Sequence, residues 1–126
     1  MLNPTKLANN NFLSSLDISK EELLHILEIA IKFKNKELDI QLEDKVLGLI
    51  FDKSSTRTRV SFQVAMSRLG GTTIDLNPTT SQIGRGEPIK DTARVLSKYC
   101  DAIAIRTFNH SDLEEYAKWS TKPIIN

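Results

Sequence analysis

The feature that most constrains this chain is the stretch from residue 51 to residue 62, FDKSSTRTRVSF, which continues the apolar run Val46–Phe51. The apolar run has no polar side, which is typical of a parallel strand covered on both faces. A helical pattern begins directly after it, so the stretch lies where a buried strand passes into a helix. We therefore predict an α/β fold, a parallel sheet of about four strands with helices on both faces.

The junction between this strand and this helix is rich in hydrogen-bond donors. Its donor side chains are Ser54, Ser55, Thr56, Arg57, Thr58 and Arg59. The first backbone N–H groups of a helix have no intrahelical partner, and the helix dipole is positive there. Guanidinium groups add paired donors that fit phosphate oxygens. We interpret the junction as an anion site suited to phosphate. The alternative is that Ser55 or Thr56 only caps the helix and that the arginines are solvated.

Polar residues also follow the other predicted strands. The strand at residues 72–76 leads into a long polar loop at 77–87, which contains Gln82, and the strand at 101–106 ends in Arg106. Because the carboxyl ends of parallel strands meet at one edge of the sheet, we expect Arg106 to lie near Arg57. Two alternatives remain, namely that Arg106 is an ordinary surface residue and that Gln82 belongs to a flexible solvated loop.

The remaining elements are predicted from caps and apolar spacing. Residues 2–16 are polar and predict a loosely packed arm, and residues 122–126 begin a fourth strand. Two capping boxes, Ser19 with Glu22 and Ser111 with Glu114, each predict a helix start, and Pro88 predicts a third. The positions predicted to pack are Leu23, Leu24, Leu27, Ala30 and Ile31 in the first helix; Val60, Val64, Ala65 and Leu69 in the second; Ala93, Val95, Leu96 and Tyr99 in the third; and Leu113, Tyr116 and Ala117 in the fourth.

Composition excludes several classes of function. The 126 residues suit one domain, and a formal charge of +1 argues against a nucleic-acid binder with a broad basic face. Cys100 is the only cysteine and His25 lies alone in its helix, so neither a disulfide nor a metal site is expected. The N-terminal sequence lacks the pattern of a signal peptide, and no apolar run approaches membrane-spanning length. We expect a cytoplasmic protein without nucleic-acid or membrane partners.

Two motifs resemble one enzyme family. Residues 51–59, FDKSSTRTR, closely resemble the carbamoyl-phosphate loop of the aspartate/ornithine transcarbamoylases. Lys53 is similar to the ornithine branch, because the aspartate branch usually has proline there. Residues 81–88, SQIGRGEP, are similar to the mobile loop that in ornithine transcarbamoylases reaches into the site of a neighbouring subunit. Some members have a lysine at the place of Gly86, so Arg85 is expected to supply that charge here.

The resemblance implies transfer of a carbamoyl group from carbamoyl phosphate to the δ-amine of ornithine, in arginine metabolism, without a cofactor. Arg57 and Arg106 would be catalytic, with Arg106 on the carbonyl oxygen. The phosphate would be held by Ser55, Thr56, Arg57 and Thr58. Gln82 would reach across from an adjacent chain of a homotrimer, whereas Lys53 and Arg59 would support the loop.

The resemblance extends over nearly all of residues 1–126 but only over the first part of a typical family member. The family's next motif, His-Pro-x-Gln, and its amino-acid-binding domain would follow. We therefore expect residues 1–126 to be an incomplete N-terminal carbamoyl-phosphate-binding domain that lacks the ornithine-binding domain and is inactive alone. The alternatives are another transcarbamoylase, such as the aspartate enzyme, or a phosphate-binding module without catalysis.

Overall fold

Four parallel strands form one sheet, in the order β2-β1-β3-β4, in the computed structural model, which describes residues 7–51, 55–76 and 86–126. The strands are β1 (Val46–Phe51), β2 (Thr72–Leu76), β3 (Ala102–Arg106) and β4 (Ile124–Ile125). The helices are a short 3-10 helix (Ser15–Asp17), α1 (Lys20–Lys34), α2 (Thr56–Arg68), α3 (Ile89–Tyr99) and α4 (His110–Trp119). The predicted α/β fold with a parallel sheet is confirmed.

The sheet is covered on both faces because its central strands point apolar side chains to both sides. On one face, Ile50, Ile103 and Ile105 pack with α3 and α4. On the other face, Leu49 and Ala104 pack with α2. This alternation along each strand is the pattern of a buried parallel sheet. Leu49 is fully buried, and burial of such a side chain contributes about 2 kcal/mol to stability.

Helices α2 and α3 turn a different side to the core than apolar spacing predicts. In α2, Phe62 and Met66 face the sheet, whereas Val60 and Val64 are exposed. In α3, Ala93 and Leu96 are buried as predicted, but Val95 and Tyr99 are exposed. The buried side of α3 instead includes two polar residues, Thr92 and Ser97.

The two buried polar side chains of α3 are tolerated because each is hydrogen-bonded. The Thr92 hydroxyl donates to the Glu87 carboxylate over 2.8 Å, and the Ser97 hydroxyl donates to the Ala93 carbonyl over 2.6 Å. A buried hydroxyl without a partner would be costly, but one with a partner is close to neutral. Apolar spacing alone could not identify these positions as core.

Helix α1 has the predicted capping box, since Ser19 and Glu22 each accept a backbone N–H of the other. The predicted packing of its apolar side is wrong in the described chain. Leu24 and Ile31 are 55% and 59% exposed, and α1 has no buried residue. On the side of the sheet that faces α2, strand β1 is covered by Leu42, Phe62 and Met66.

Residues 7–16, the described part of the N-terminal arm, are better ordered than predicted. Phe12 pairs with Ile125 as a short parallel bridge beside β4. The Phe12 N–H donates to the Ile124 carbonyl, and the Asn126 N–H donates to the Phe12 carbonyl, each over 2.8 Å. The side-chain oxygen of Asn11 accepts the Ile124 N–H over 2.8 Å. The arm therefore extends the sheet beyond its fourth strand, because the free edge of β4 offers backbone groups to pair with.

The capping box predicted at Ser111 does not form. Helix α4 begins at His110, one residue earlier, and its N-cap Asn109 makes no side-chain cap bond. Ser111 therefore lies inside the first turn, and Glu114 pairs with His110 at 3.5 Å. Leu113 and Tyr116 are buried, as predicted. Within the described ranges, no helix is long and apolar enough to span a bilayer.

Candidate active site

The strand register places the ends of three strands at one edge of the sheet. Phe51 lies beside Arg106, and Ile50 lies beside Leu76, so β1, β2 and β3 end together. Helix α2 begins at this edge, since Thr56 follows the end of β1 after a short connection. The topology thus brings the end of β3 to the start of α2, as the strand-end argument predicts.

Arg106 and Ser55 meet at this edge. The Nη1 of Arg106 donates a hydrogen bond to the Oγ of Ser55 over 3.0 Å. Ser55 occupies the N-cap position of α2, but its side chain accepts no backbone N–H of the helix. Ser55 therefore holds the N-cap position without a capping hydrogen bond, and its hydroxyl faces the arginine. Thr56 is the first residue inside the helix and is not the cap.

The first turn of α2 presents positive potential to the same edge. The N–H of Arg59 is bonded to the Ser55 carbonyl over 3.1 Å, which begins the intrahelical ladder. The amides before Arg59 have no acceptor inside the helix, because a helix leaves its first N–H groups unpaired. Thr56, Arg57 and Thr58 are exposed in this turn, which contains no acidic residue. These groups together can donate several hydrogen bonds to one anion.

A cavity of about 140 Å³ lies next to the hydrogen bond between Arg106 and Ser55. Thr58 and Arg106 are among its polar lining residues, and Phe51 and Phe62 contribute much of its apolar wall. Because water takes about 30 Å³ per molecule, the cavity has room for a group the size of phosphate.

Asn126 also lines this cavity, although the sequence argument did not select it. It follows the last residue of β4, and its side-chain amide donates to the Leu13 carbonyl over 2.9 Å. The strand-end rule that selected Arg106 would have found Asn126 if it had been applied to the fourth strand as well.

Two larger cavities lie away from the guanidinium groups of this edge. One, of about 590 Å³, is bounded by the arm, Leu23 and Ile26 of α1, and Ile125. The other, of about 750 Å³, is bounded by the end of α1, by Ala65 of α2 and by Leu69, which follows α2. Neither contains Arg57 or Arg106, so size alone does not identify the site.

Arg59 points to a different element than Arg106 does. Its Nη1 lies 3.4 Å from the Oδ2 of Asp75 in β2, and both side chains are partly exposed. This ion pair joins α2 to β2. That Arg59 supports the loop and does not contact substrate stays a prediction.

Four residues selected from the sequence, Lys53, Ser54, Gln82 and Arg85, lie outside the described residues. Among the residues that the structure does describe, no group of three or more histidine, cysteine, aspartate or glutamate side chains could hold a metal ion. The described part of the site is therefore built from Ser55, the first turn of α2 and Arg106.

Comparison with known proteins identifies the family. Residues 10–126 match the family described as "Aspartate/ornithine carbamoyltransferase, carbamoyl-P binding domain". The chain belongs to this family. It is 80% identical over 126 residues to the ornithine carbamoyltransferase of Prochlorococcus marinus subsp. pastoris, covering 100% of this chain and 41% of that protein. It is 58% identical over 120 residues to the ornithine carbamoyltransferase of Parasynechococcus marenigrum, covering 95% of this chain and 38% of that protein.

Solved structures of the family share the fold. The ornithine carbamoyltransferase from Pyrococcus furiosus matches with a TM-score of 0.87 and 49% identity, covering 97% of this chain and 40% of that one. The catalytic subunit of M. jannaschii aspartate transcarbamoylase matches with a TM-score of 0.82 and 39% identity, covering 94% of this chain and 40% of that one. This carbamoyltransferase-family chain thus spans about two-fifths of the length of the relatives it matches.

Proposed function

We propose that residues 1–126 form the carbamoyl-phosphate-binding part of an ornithine carbamoyltransferase. The observation that carries the proposal is the hydrogen bond between Arg106 and Ser55, which holds the guanidinium of β3 beside the first turn of α2. The relatives at 80% and 58% identity, both named ornithine carbamoyltransferase, support the same assignment. The ornithine-binding domain would lie in the length that those relatives have beyond this chain.

In this proposal the phosphate group lies at the start of α2. The hydroxyls of Ser55, Thr56 and Thr58 and the guanidinium of Arg57 donate to its oxygens, together with the free amides of the first turn. Arg57 can form a paired contact with two oxygens, which a lysine could not reproduce. The dipole of α2 adds favourable potential at the same place.

The carbamoyl carbonyl would face Arg106, at the end of the neighbouring strand. The uncharged δ-amine of ornithine attacks the carbonyl carbon. A C–N bond then forms, the C–O bond to phosphate breaks and the amine loses a proton. Negative charge develops on the carbonyl oxygen and on the departing phosphate, and preorganised donors stabilise both. The chemistry requires neither a cofactor nor a nucleophilic side chain, and Arg106 acts as the donor to the carbonyl oxygen.

The complete enzyme is proposed to be a homotrimer, in which Gln82 reaches the carbamoyl phosphate of the adjacent subunit. This part rests on the similarity of residues 81–88 to the mobile loop of the family. The enzyme would act in the cytoplasm in arginine metabolism, with carbamoyl phosphate and ornithine as its substrates.

A second candidate is aspartate carbamoyltransferase, and the likeness to the M. jannaschii catalytic subunit is the observation that favours it. The two candidates share the phosphate site and differ in the amine that attacks. Lys53 favours ornithine, because the aspartate branch usually has proline at this place. A phosphate-binding module without catalysis is the third alternative.

An assay of the protein expressed at the length of its relatives would distinguish these candidates. The purified protein is incubated with carbamoyl phosphate and either ornithine or aspartate, and citrulline, carbamoyl aspartate and phosphate are measured. Citrulline from ornithine alone is the expected result. Carbamoyl aspartate as the main product would favour the second candidate, and tight binding of carbamoyl phosphate without either product would favour a module that only binds.

A further inference from the structure

A cluster of positive charge surrounds the only tryptophan of the chain, on the side of the sheet that α3 and α4 cover. The Lys90 Nζ lies 4.5 Å from the centre of the Trp119 ring, the Arg94 Cζ lies 4.9 Å from it, and the Lys118 Nζ lies 5.1 Å from it. We call Lys90, Arg94, Lys118 and Trp119 the cationic patch. Two of its charges come from α3 and one from α4.

The three cations of the patch make no ion pair within the described ranges. The salt bridges found there join Lys32 to Glu28, Lys45 to Asp101 and Arg59 to Asp75, and His110 lies 3.5 Å from Glu114. Each patch cation lies within about 5 Å of one ring centre, so no two of the charges are more than about 10 Å apart. That separation is no greater than the Debye length of about 10 Å at 0.1 M salt, so their repulsion is only partly screened.

Attraction to the indole face of the partly buried Trp119 offsets part of this repulsion, because each cation over the ring contributes a modest favourable energy. Lys90 and Arg94 are four residues apart on one helix face, which is an unfavourable spacing for like charges. Lys98 follows at the same spacing and is exposed, so the basic row continues for about 12 Å along α3. An anionic partner would relieve the repulsion along the whole row.

We propose that the cationic patch docks an acidic protein surface whose carboxylates repeat at helical spacing. A small anion fits less well, because tight sites for small ligands are concave and shielded from water, whereas Arg94 and Lys118 are exposed. A nucleic acid fits less well, because the chain carries a formal charge of only +1 and the patch has a single aromatic ring. Long lysine and arginine side chains on a helix suit an extended row of carboxylates.

The patch is separate from the proposed carbamoyl-phosphate site. That site uses the start of α2 and the end of β3, whereas the patch uses the outer sides of α3 and α4. Docking at the patch therefore does not depend on the proposed carbamoyl transfer, and either proposal can fail without the other.

Trp119 provides the measurement, because the fluorescence of the chain's only tryptophan reports directly on the patch. The probe is a helical peptide of about 16 residues with glutamate at every fourth position and alanine elsewhere. It is titrated into the 126-residue chain, and a fluorescein-labelled copy is followed by anisotropy. The same peptide with glutamine in place of glutamate, inorganic phosphate and a short single-stranded DNA are titrated alongside.

The expected result is saturable binding of the glutamate peptide, with a change in Trp119 emission and an affinity that falls as salt rises. The triple variant Lys90→Gln, Arg94→Gln, Lys118→Gln should bind at least about tenfold more weakly, because three surface pairs are lost. The matched variant Lys20→Gln, Lys34→Gln, Lys36→Gln removes the same amount of charge from α1 and from the segment directly after it. Its affinity for the glutamate peptide should stay within about twofold of that of the parent. Circular dichroism of both variants controls for folding.

Three results would overturn the proposal. One is equal binding of the glutamate and glutamine peptides, and another is an equal loss of affinity in the two triple variants, since net charge alone would then explain binding. The third is tighter binding of the DNA or of phosphate than of the glutamate peptide, which would assign the patch to a different class of ligand.

Discussion

Arg106 and Ser55 are 51 residues apart in the chain, yet the Arg106 Nη1 and the Ser55 Oγ are separated by 3.0 Å. The contact exists because β1 and β3 are neighbours in the sheet and end in register at Phe51 and Arg106. The hydrogen bond fixes the direction of the long Arg106 side chain at the edge of the sheet where α2 begins. A guanidinium held in place before substrate arrives needs less reorganisation during the reaction.

Replacing Ser55 with alanine tests whether this contact positions Arg106. In the complete enzyme, Ser55→Ala should cost about 1 kcal/mol of transition-state stabilisation, because one hydrogen bond is lost, whereas Arg106→Ala should cost about 3 kcal/mol, mainly in kcat. Measurement of kcat and of KM for carbamoyl phosphate would check both values. Ser61→Ala, at an exposed position further along α2, is the matched control. If kcat and KM of the Ser55→Ala enzyme were unchanged, Ser55 would have no role in the site.

Arg57 and Arg59 should behave differently although they are two residues apart. Arg57→Lys or Arg57→Ala should cost on the order of 3 kcal/mol or more in kcat/KM, since lysine cannot make a paired contact with phosphate. Arg59→Ala should instead lower stability by about 0.5 kcal/mol, because its partly exposed ion pair with Asp75 is lost.

Kinetics and thermal unfolding of the Arg57 and Arg59 variants would check this ranking, with Asp75→Ala as the partner control for Arg59→Ala. The placement of phosphate at Arg57 would be wrong if a well-folded Arg59→Ala enzyme were inactive while Arg57→Ala stayed within a factor of a few of the parent.

Mixing variants of the complete enzyme tests whether Gln82 serves a neighbouring subunit. Gln82→Ala and Arg57→Ala chains should each be poorly active alone and should regain some activity after subunit exchange, because a mixed trimer contains sites with neither lesion. Activity is compared before and after exchange, which is itself verified by mass spectrometry. If confirmed hybrids gain nothing, Gln82 does not act across subunits.

The N-terminal arm should stabilise β4 through Asn11. In Asn11→Ala the buried Ile124 N–H loses its acceptor, which should cost about 1–3 kcal/mol in the free energy of unfolding. Asn11→Asp keeps an oxygen at this place and should lose less than half as much. Urea unfolding of both variants, with the exposed Asn10→Ala as control, would check this. Equal losses for the alanine and aspartate variants would argue against the hydrogen bond as the cause.

Cys100 should make stability fall at alkaline pH. Burial raises the pKa of the Cys100 thiol above its ordinary value of 9.0, and the nearby Asp101 charge raises it further. The folded state therefore keeps the thiol proton at pH values where the unfolded state has lost it. The contribution of this thiol to the free energy of unfolding is complete below about pH 9. It is lost as the pH rises through the pKa of the folded state, with a slope of at most about 1.4 kcal/mol per pH unit.

The measurement for Cys100 is the free energy of unfolding in urea at about pH 7.5, 9 and 10, for the parent and for Cys100→Ala. Other groups titrate in this range, so the quantity of interest is the difference between the two proteins. That difference should narrow as the pH rises, and a constant difference would mean that the thiol does not ionise differently in the two states.

Local patterns were enough to predict the order and type of the four main helices and four strands. The apolar run Val46–Phe51 predicted β1, and the capping box of Ser19 and Glu22 predicted the start of α1; both were confirmed. Arg106 was also predicted to lie near Arg57, and it does lie at the start of α2. This prediction succeeded because parallel topology fixes the edge at which strands end.

Which side of each helix is buried, and how the arm pairs with β4, depend on packing between elements that are distant in the chain. Val64 and Tyr99 looked apolar enough for the core, yet packing turned Met66 and Ser97 inward instead. Ser97 is buried because Ala93, Ser120 and Thr121 supply hydrogen-bond partners, two of which are more than twenty residues away. Such partners are set by how α3 and α4 pack on the sheet, and local spacing carries no information about them. The pairing of Phe12 with Ile125 likewise depends on a free strand edge, which exists only once the sheet has formed.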